Sequence, residues 1–152
     1  MKKIILVLVA VSILIAGCNF FPEPEEDLTG FKDCKQSQEC IMNSVKNCEK
    51  AFASSKDTFM GDAKAELKVI VYGMQEGNCK IKYKTGNLEG DAGLMSQAVF
   101  SLIANKEMVC LVPKEKINLA TKGMNEELMK NYCSGSLIDA INSIEETMKD
   151  MQ

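Results

Sequence analysis

The chain has 152 residues, and its 18 basic and 21 acidic residues give a formal net charge of −3. Every basic residue is a lysine, and the sequence holds no histidine, arginine or tryptophan. The missing histidine excludes a Ser-His-Asp triad, a Cys-His pair and a Cys/His zinc site, and the missing arginine removes the bidentate ligand of phosphate and carboxylate. The acidic balance argues against nucleic acid as a partner, because neutralising phosphates needs a basic surface.

The first seventeen residues have the organisation of an export signal. Lys2 and Lys3 precede an apolar run from Ile4 to Ala16. Such a run would extend about 20 Å as a helix, which is short of the roughly 30 Å hydrocarbon core of a bilayer. The pattern therefore predicts a cleaved signal peptide at 1–17 in place of a spanning helix.

The residues Ile15-Ala16-Gly17-Cys18 resemble the lipobox of prokaryotic lipoproteins at each position. The resemblance implies cleavage between Gly17 and Cys18 and a diacylglyceryl thioether on Cys18. The mature chain would then be held by lipid on the extracytoplasmic side of a membrane, in a periplasm or at a cell surface. No other cofactor is expected. The alternatives are an ordinary secretory signal, with Cys18 as the first mature residue, and a plain transmembrane anchor.

The remaining 135 of the 152 residues are enough for one domain with a hydrophobic core. Residues 18–30 follow the signal as a lipidated cysteine and an acidic stretch with Pro22 and Pro24, which block helix formation. We expect this stretch to be a solvated, extended tether. Residues 31–152 are expected to form a single disulfide-stabilised domain.

Periodicity divides the first half of the domain into a helix and two strands. Ser37 is a predicted N-cap for a helix that runs to about Ser54, with Cys40 and Cys48 toward its apolar stripe. Alternation then predicts a strand at 65–72, a hairpin loop at 73–77 and a return strand at 79–84.

The second half begins with a glycine-rich loop at 85–93 and a predicted helix from about Ala92 to Asn105, capped by Asp91. A third strand at 108–112 ends at Pro113. The C-terminal third is predicted to be helical, with a helix at 124–132, a break at Gly135 and a last helix capped by Ser136. These elements predict an α+β fold in which a small antiparallel sheet of about three strands is covered on one face by helices.

Six cysteines remain after Cys18, and an even number outside the cytoplasm predicts three disulfides. A thiolate metal site is the alternative, but the sequence holds no C-x-x-C pair, so we expect no metal. We expect the two cysteines of the first helix to pair with Cys79 and Cys110 on the strands, and Cys34 to pair with Cys133. The six candidates are Cys34, Cys40, Cys48, Cys79, Cys110 and Cys133.

The order of these cysteines, C-x5-C-x7-C followed by MVCLVP and a late CSG, resembles small exported cysteine-framework domains of uncultured archaeal lineages. The resemblance implies an archaeal cell-surface lipoprotein, and it does not indicate an activity.

The return strand supplies the candidate contact surface. Cys79, Ile81 and Tyr83 alternate with three lysines, and Lys64 and Lys68 lie on the preceding strand. The lysines are candidate contacts for an anionic polymer or lipid headgroups, although alternate lysines are also typical of a solvated sheet face that resists aggregation. The three lysines of the return strand are Lys80, Lys82 and Lys84.

No catalytic residue is predicted from the sequence. We expect a non-enzymatic binding module whose ligand is a protein, an envelope polymer or a small molecule. The alternative is a small extracytoplasmic enzyme that uses carboxylates or a Ser/Lys pair without a recognisable motif.

Overall fold

The computed structural model describes residues 26–60, 63–89, 101–123 and 125–150, and within them the sheet has six strands instead of the expected three. The order of the strands in the sheet follows their order in the chain. The first two strands are parallel, and all other neighbouring strands are antiparallel. The α+β class with disulfides is confirmed. The strands are β1 (Lys32–Asp33), β2 (Ala51–Met60), β3 (Ala63–Gln75), β4 (Asn78–Glu89), β5 (Glu107–Pro113) and β6 (Cys133–Ser134).

The described helices are shorter than the longest strands, apart from the last one. Among the described residues, no helix has both the length and the apolar content to cross a membrane. The short helix at Ile117–Ala120 was not predicted, and it continues a 3-10 turn at Lys114–Lys116. The helices are α1 (Gln38–Asn47), α2 (Ile117–Ala120), α3 (Glu126–Tyr132) and α4 (Ser136–Asp150).

The helix α1 begins as predicted and ends earlier. The Ser37 hydroxyl accepts a hydrogen bond from the Cys40 N–H at 3.2 Å, which confirms the N-cap. At the other end Cys48 takes a left-handed backbone conformation (φ 52°), and its N–H donates to the carbonyls of Ser44 and Val45. The predicted extension to Ser54 is therefore wrong, because β2 begins at Ala51 and pairs with β3.

The hairpin between β3 and β4 is tighter than predicted, and both strands are longer. The turn comprises only Glu76 and Gly77, because β3 continues through an irregularity at Gly73, where φ is +84°. The predicted loop at 85–93 is wrong for residues 85–89, where β4 still pairs with β3. Residues 101–103 are helical, and the earlier part of that predicted helix, with its cap Asp91, lies outside the described residues.

One face of the sheet forms the core. Cys79 and Ile81 are fully buried on β4, and Tyr83 is nearly so, which confirms the predicted alternation of this strand. The described helices pack against this same face. Apolar side chains from α1, α3 and α4 that join this core are Ile41, Val45, Leu128 and Leu137.

The junction of β6 and α4 requires glycine. Gly135 has φ +126°, and a Cβ atom there would lie 2.7 Å from the Glu107 carbonyl oxygen. The close approach places Ser136 beside β5. Ser136, predicted as the cap of the last helix, is its first residue, and its hydroxyl accepts a hydrogen bond from the Glu107 N–H at 3.2 Å.

Three disulfides form, but only one of them links the elements that we expected. Cys48 at the end of α1 is joined to Cys79 on β4. Cys40 pairs instead with Cys34, because the capping turn brings the Cys34 carbonyl within 2.9 Å of the Ser37 N–H. The expected bonds of Cys34 to Cys133 and of Cys110 to the first helix are wrong, because Cys110 faces Cys133 directly across the β5–β6 ladder.

The three disulfides are expected to contribute unequally to stability. The Cys48–Cys79 bond spans 31 residues and the Cys34–Cys40 bond spans 6. From loop-closure entropy, the Cys48–Cys79 bond should stabilise the fold by about 3.7 kcal/mol and the Cys34–Cys40 bond by about 2.2 kcal/mol. The variant C48A/C79A should therefore lower the free energy of unfolding by about 1.5 kcal/mol more than C34A/C40A. Urea unfolding without reductant measures both variants. Equal losses, or a larger loss in C34A/C40A, would contradict this ranking.

Candidate functional site

The side of the sheet that faces away from the described helices is called the lysine face below. It carries Lys80, Lys82 and Lys84 from β4 and Lys64 and Lys68 from β3, as the strand alternation predicted. Lys68 lies directly opposite Lys84 in the register, and Ile70 lies opposite Lys82. The structure therefore brings all five predicted lysines to one surface.

Lys82 has a different environment from the other lysines of this face. Its Nζ donates to Glu26 Oε1 at 2.7 Å and lies 2.6 Å from Glu107 Oε2. Only 13% of its side chain is exposed. Its amine is therefore held between two carboxylates within the protein.

A stretch of chain at residues 26–31 crosses the lysine face. The Tyr72 hydroxyl also donates to Glu26 Oε1, at 2.7 Å, and the ring of Phe31 meets the Tyr72 ring edge-on with centroids 5.7 Å apart. The Lys80 ammonium lies 4.9 Å from the centroid of Tyr72. The sequence had assigned Glu26 to the solvated tether. The structure corrects that assignment, because Glu26 is bound to the sheet.

The four residues Glu26, Tyr72, Lys82 and Glu107 are called the Glu26 network below, and the pKa values of Glu26, Tyr72 and Lys82 are shifted within it. Burial raises the pKa of Glu26, but the hydrogen bonds from Lys82 and Tyr72 outweigh it and leave that pKa below its usual value. Burial lowers the pKa of Lys82, but the carboxylates of Glu107 and Glu26 raise it overall. Burial and the bond to Glu26 raise the pKa of Tyr72 to about 12. At neutral pH Glu26 and Lys82 therefore stay charged, and Tyr72 keeps its proton.

Sequence reasoning missed the acidic half of this network. Glu26 and Lys82 are 56 residues apart, so no local pattern joins them. One sequence feature could have indicated an acidic partner: Lys82 lies at the centre of a strand with core residues on both sides. An ammonium group in such a position is half-buried and needs a carboxylate partner. That signal indicates a partner without saying which carboxylate it is.

A groove of about 270 Å³ lies on the opposite side of the sheet, between α1, the strands and the segment that follows α2. Its lining is apolar with a few neutral polar groups, including Ser37 and Ser55. Tyr83 is the ionisable member, and burial raises its pKa to about 12. The apolar side chains that line it include Ile41, Met42, Val45, Leu67, Val69 and Ala120.

A smaller groove of about 180 Å³ between α3 and α4 tests the enzyme hypothesis, because it brings Glu126 and Glu145 together with Lys130. Glu126 forms an exposed ion pair with Lys130, and the hydrogen bond from Lys130 lowers the pKa of Glu126. A general acid needs a raised pKa instead. Over the described part of the chain, no three or more Cys, Asp or Glu side chains are grouped so that they would hold a metal ion.

Comparison with known proteins adds no relative: no family model matches the chain, and no curated protein or solved structure is significantly similar to it. Its function is therefore inferred from its own residues.

The Glu26–Lys82 contact is expected to stabilise the domain in a pH-dependent way. Glu26→Gln removes one charge from the network and should lower the free energy of unfolding at pH 7 by about 1–2 kcal/mol. Because the pKa of Glu26 is lower in the folded chain than its usual 4.5, its contribution is complete above pH 4.5 and is lost as pH falls through the folded value. The deficit of the variant should therefore be smaller at pH 3 than at pH 7. Urea unfolding at both pH values measures it.

Glu115→Gln is the matched control, because Glu115 is an exposed carboxylate in the 3-10 turn. It should change stability by less than about 0.5 kcal/mol at either pH. An E26Q deficit of the same size at pH 7 and pH 3 would contradict a charge contribution from Glu26.

Proposed function

We propose that this chain is a membrane-anchored extracytoplasmic lipoprotein, held by acyl chains on Cys18. The observation that carries the proposal is the order of n-region, apolar run and Ile15-Ala16-Gly17-Cys18. The three disulfides of the folded domain fit an oxidising compartment, where such bonds persist. Two acyl chains hold a protein stably on a bilayer, whereas one is marginal.

The folded domain acts in this proposal as a non-enzymatic binding module. The groove on the helix side supports this, because the described residues of its lining combine apolar side chains with neutral polar groups and include Tyr83 as their one ionisable group. Such a lining binds by burial and hydrogen bonding and is poorly suited to proton transfer near neutral pH. The lowered pKa of Glu126 likewise disfavours catalysis in the smaller groove.

The size of the larger groove limits the ligand class. At about 270 Å³ the groove is slightly smaller than the smallest typical small-molecule sites, which have volumes of about 300 Å³. It suits the apolar part of an uncharged ligand, or one or two side chains of a partner protein. The backbone and hydroxyl groups near Ser37 and Ser55 would orient it.

Lipid attachment is tested by metabolic labelling with palmitate. The wild-type chain should take up label, and Cys18→Ser should lose it entirely, because the thioether requires the Cys18 sulfur. Asn19→Ser is the control, since it changes the adjacent residue and leaves the thiol intact. Absence of label from the wild-type chain, or undiminished label on C18S, would overturn the proposed anchor.

Binding in the groove is tested with Nile red, an uncharged apolar dye whose fluorescence rises in apolar surroundings. The native protein should enhance its emission saturably, and Val69→Gln should reduce the enhancement at least fivefold, because it places an amide in the groove. Val109→Gln is the matched control on the lysine face and should leave the enhancement within twofold. Equal losses in both variants, or no saturable enhancement by the native protein, would contradict a ligand site here.

A further inference from the structure

The N-terminal chain enters the folded domain over the lysine face. The carboxylate of Glu26 contacts the Tyr72 hydroxyl and the Lys82 ammonium, and both groups project from that side of the sheet. Phe31 packs against Tyr72 on the same side before the chain reaches β1 at the edge of the sheet. The attachment of Glu26 therefore determines the side of the domain from which the tether leaves.

The chain between the proposed anchor and this attachment point is short. Residues 19–25 separate Cys18 from Glu26, and a fully extended chain over that interval spans at most about 29 Å. A domain of this size has a radius of gyration of about 14 Å, so its full width exceeds that reach. A tether that starts over the lysine face cannot pass around the sheet and the helices to bring the opposite face to the membrane.

The chemistry of the lysine face suits a lipid surface. Lys64 is exposed, and Lys68 and Lys80 are partly exposed. Ammonium groups on one face complement the phosphates of lipid headgroups, and the attraction acts within a Debye length of about 8–10 Å. The described residues that line the groove on the helix side include no lysine.

We propose that the lysine face rests on the headgroups of the membrane that holds the anchor, and that the Glu26 network fixes this orientation so that the helix-side groove faces away from the lipid. The inference depends on the proposed acyl anchor at Cys18. The Glu26 network acts as a positioning device, and Lys64, Lys68 and Lys80 supply the contacts with headgroup phosphates.

The orientation is measured by energy transfer from a single tryptophan to dansyl-labelled headgroups in vesicles that carry the full-length, processed chain. The native sequence has no tryptophan, so each variant has one donor. Leu111→Trp places it on the lysine face, where Leu111 lies opposite Lys80 and is 48% exposed. Asn43→Trp places it on the exposed side of α1. We expect transfer from the L111W chain to be at least twice as efficient as transfer from the N43W chain.

Charge reversal at position 26 tests the positioning device. Glu26→Lys should bring the ratio of the two transfer efficiencies close to one, because it repels Lys82. Asp27→Lys makes the same charge change one residue away, at an exposed carboxylate that bonds to the Thr29 N–H, and should preserve the ratio. In chains that keep Glu26, a ratio of L111W to N43W transfer efficiency at or below one would overturn the proposed orientation. An unchanged ratio in E26K would overturn the role of the Glu26 network.

Flotation of the vesicles separates this inference from the proposed function. A chain that fails to float with vesicles lacks the anchor, and the proposed function falls together with the orientation. A chain that floats and shows a ratio at or below one keeps its anchor and loses only the orientation.

Discussion

Alternation along β4 determines the two surfaces of the domain. The strand is paired on both sides, by β3 and by β5, so successive side chains can project only to one face or the other. Ile81 and Tyr83 project into the core, and Lys82, which lies between them in the strand, projects to the lysine face. A shift of one residue in register would place ammonium groups in the core, so this strand strongly specifies the register of the whole sheet.

The central position of Lys82 has a second consequence. Its neighbours across the ladder are Ile70 on β3 and Val109 on β5, and little of its side chain meets water. A desolvated ammonium is unfavourable unless carboxylates compensate it. Glu107 supplies one from the adjacent strand, and Glu26 supplies another from the N-terminal chain. The electrostatic requirement of one strand residue thus fixes a segment 56 residues away in sequence.

The elements with regular sequence patterns could be predicted. The predictions were wrong where the structure depends on partners that are distant in the sequence. β4 and β5 were recognised from alternation and apolar content. β2 was missed because Phe52 extends the apolar spacing of α1 by coincidence, while the real end of the helix depends on the left-handed backbone of Cys48. The disulfide pattern required knowledge of β6, a two-residue strand that only its ladder with β5 defines. Glu26 was predicted to be solvated, and this prediction was wrong because its partners, Tyr72 and Lys82, reach it only in the tertiary structure.

The position of the lysines also bears on the two interpretations of the open face. Lys82 has a structural role, since its charge is satisfied within the Glu26 network. Lys68 and Lys84, by contrast, face each other directly across β3 and β4. Lys84 also lies directly opposite Glu107 on the other side of β4, and this carboxylate offsets the repulsion between the two ammonium groups. In the proposed orientation, the contacts with headgroups fall to Lys64, Lys68 and Lys80, which lie outside the Glu26 network. The same sheet would then separate two tasks, with attachment on its lysine face and ligand binding on its helix-covered face.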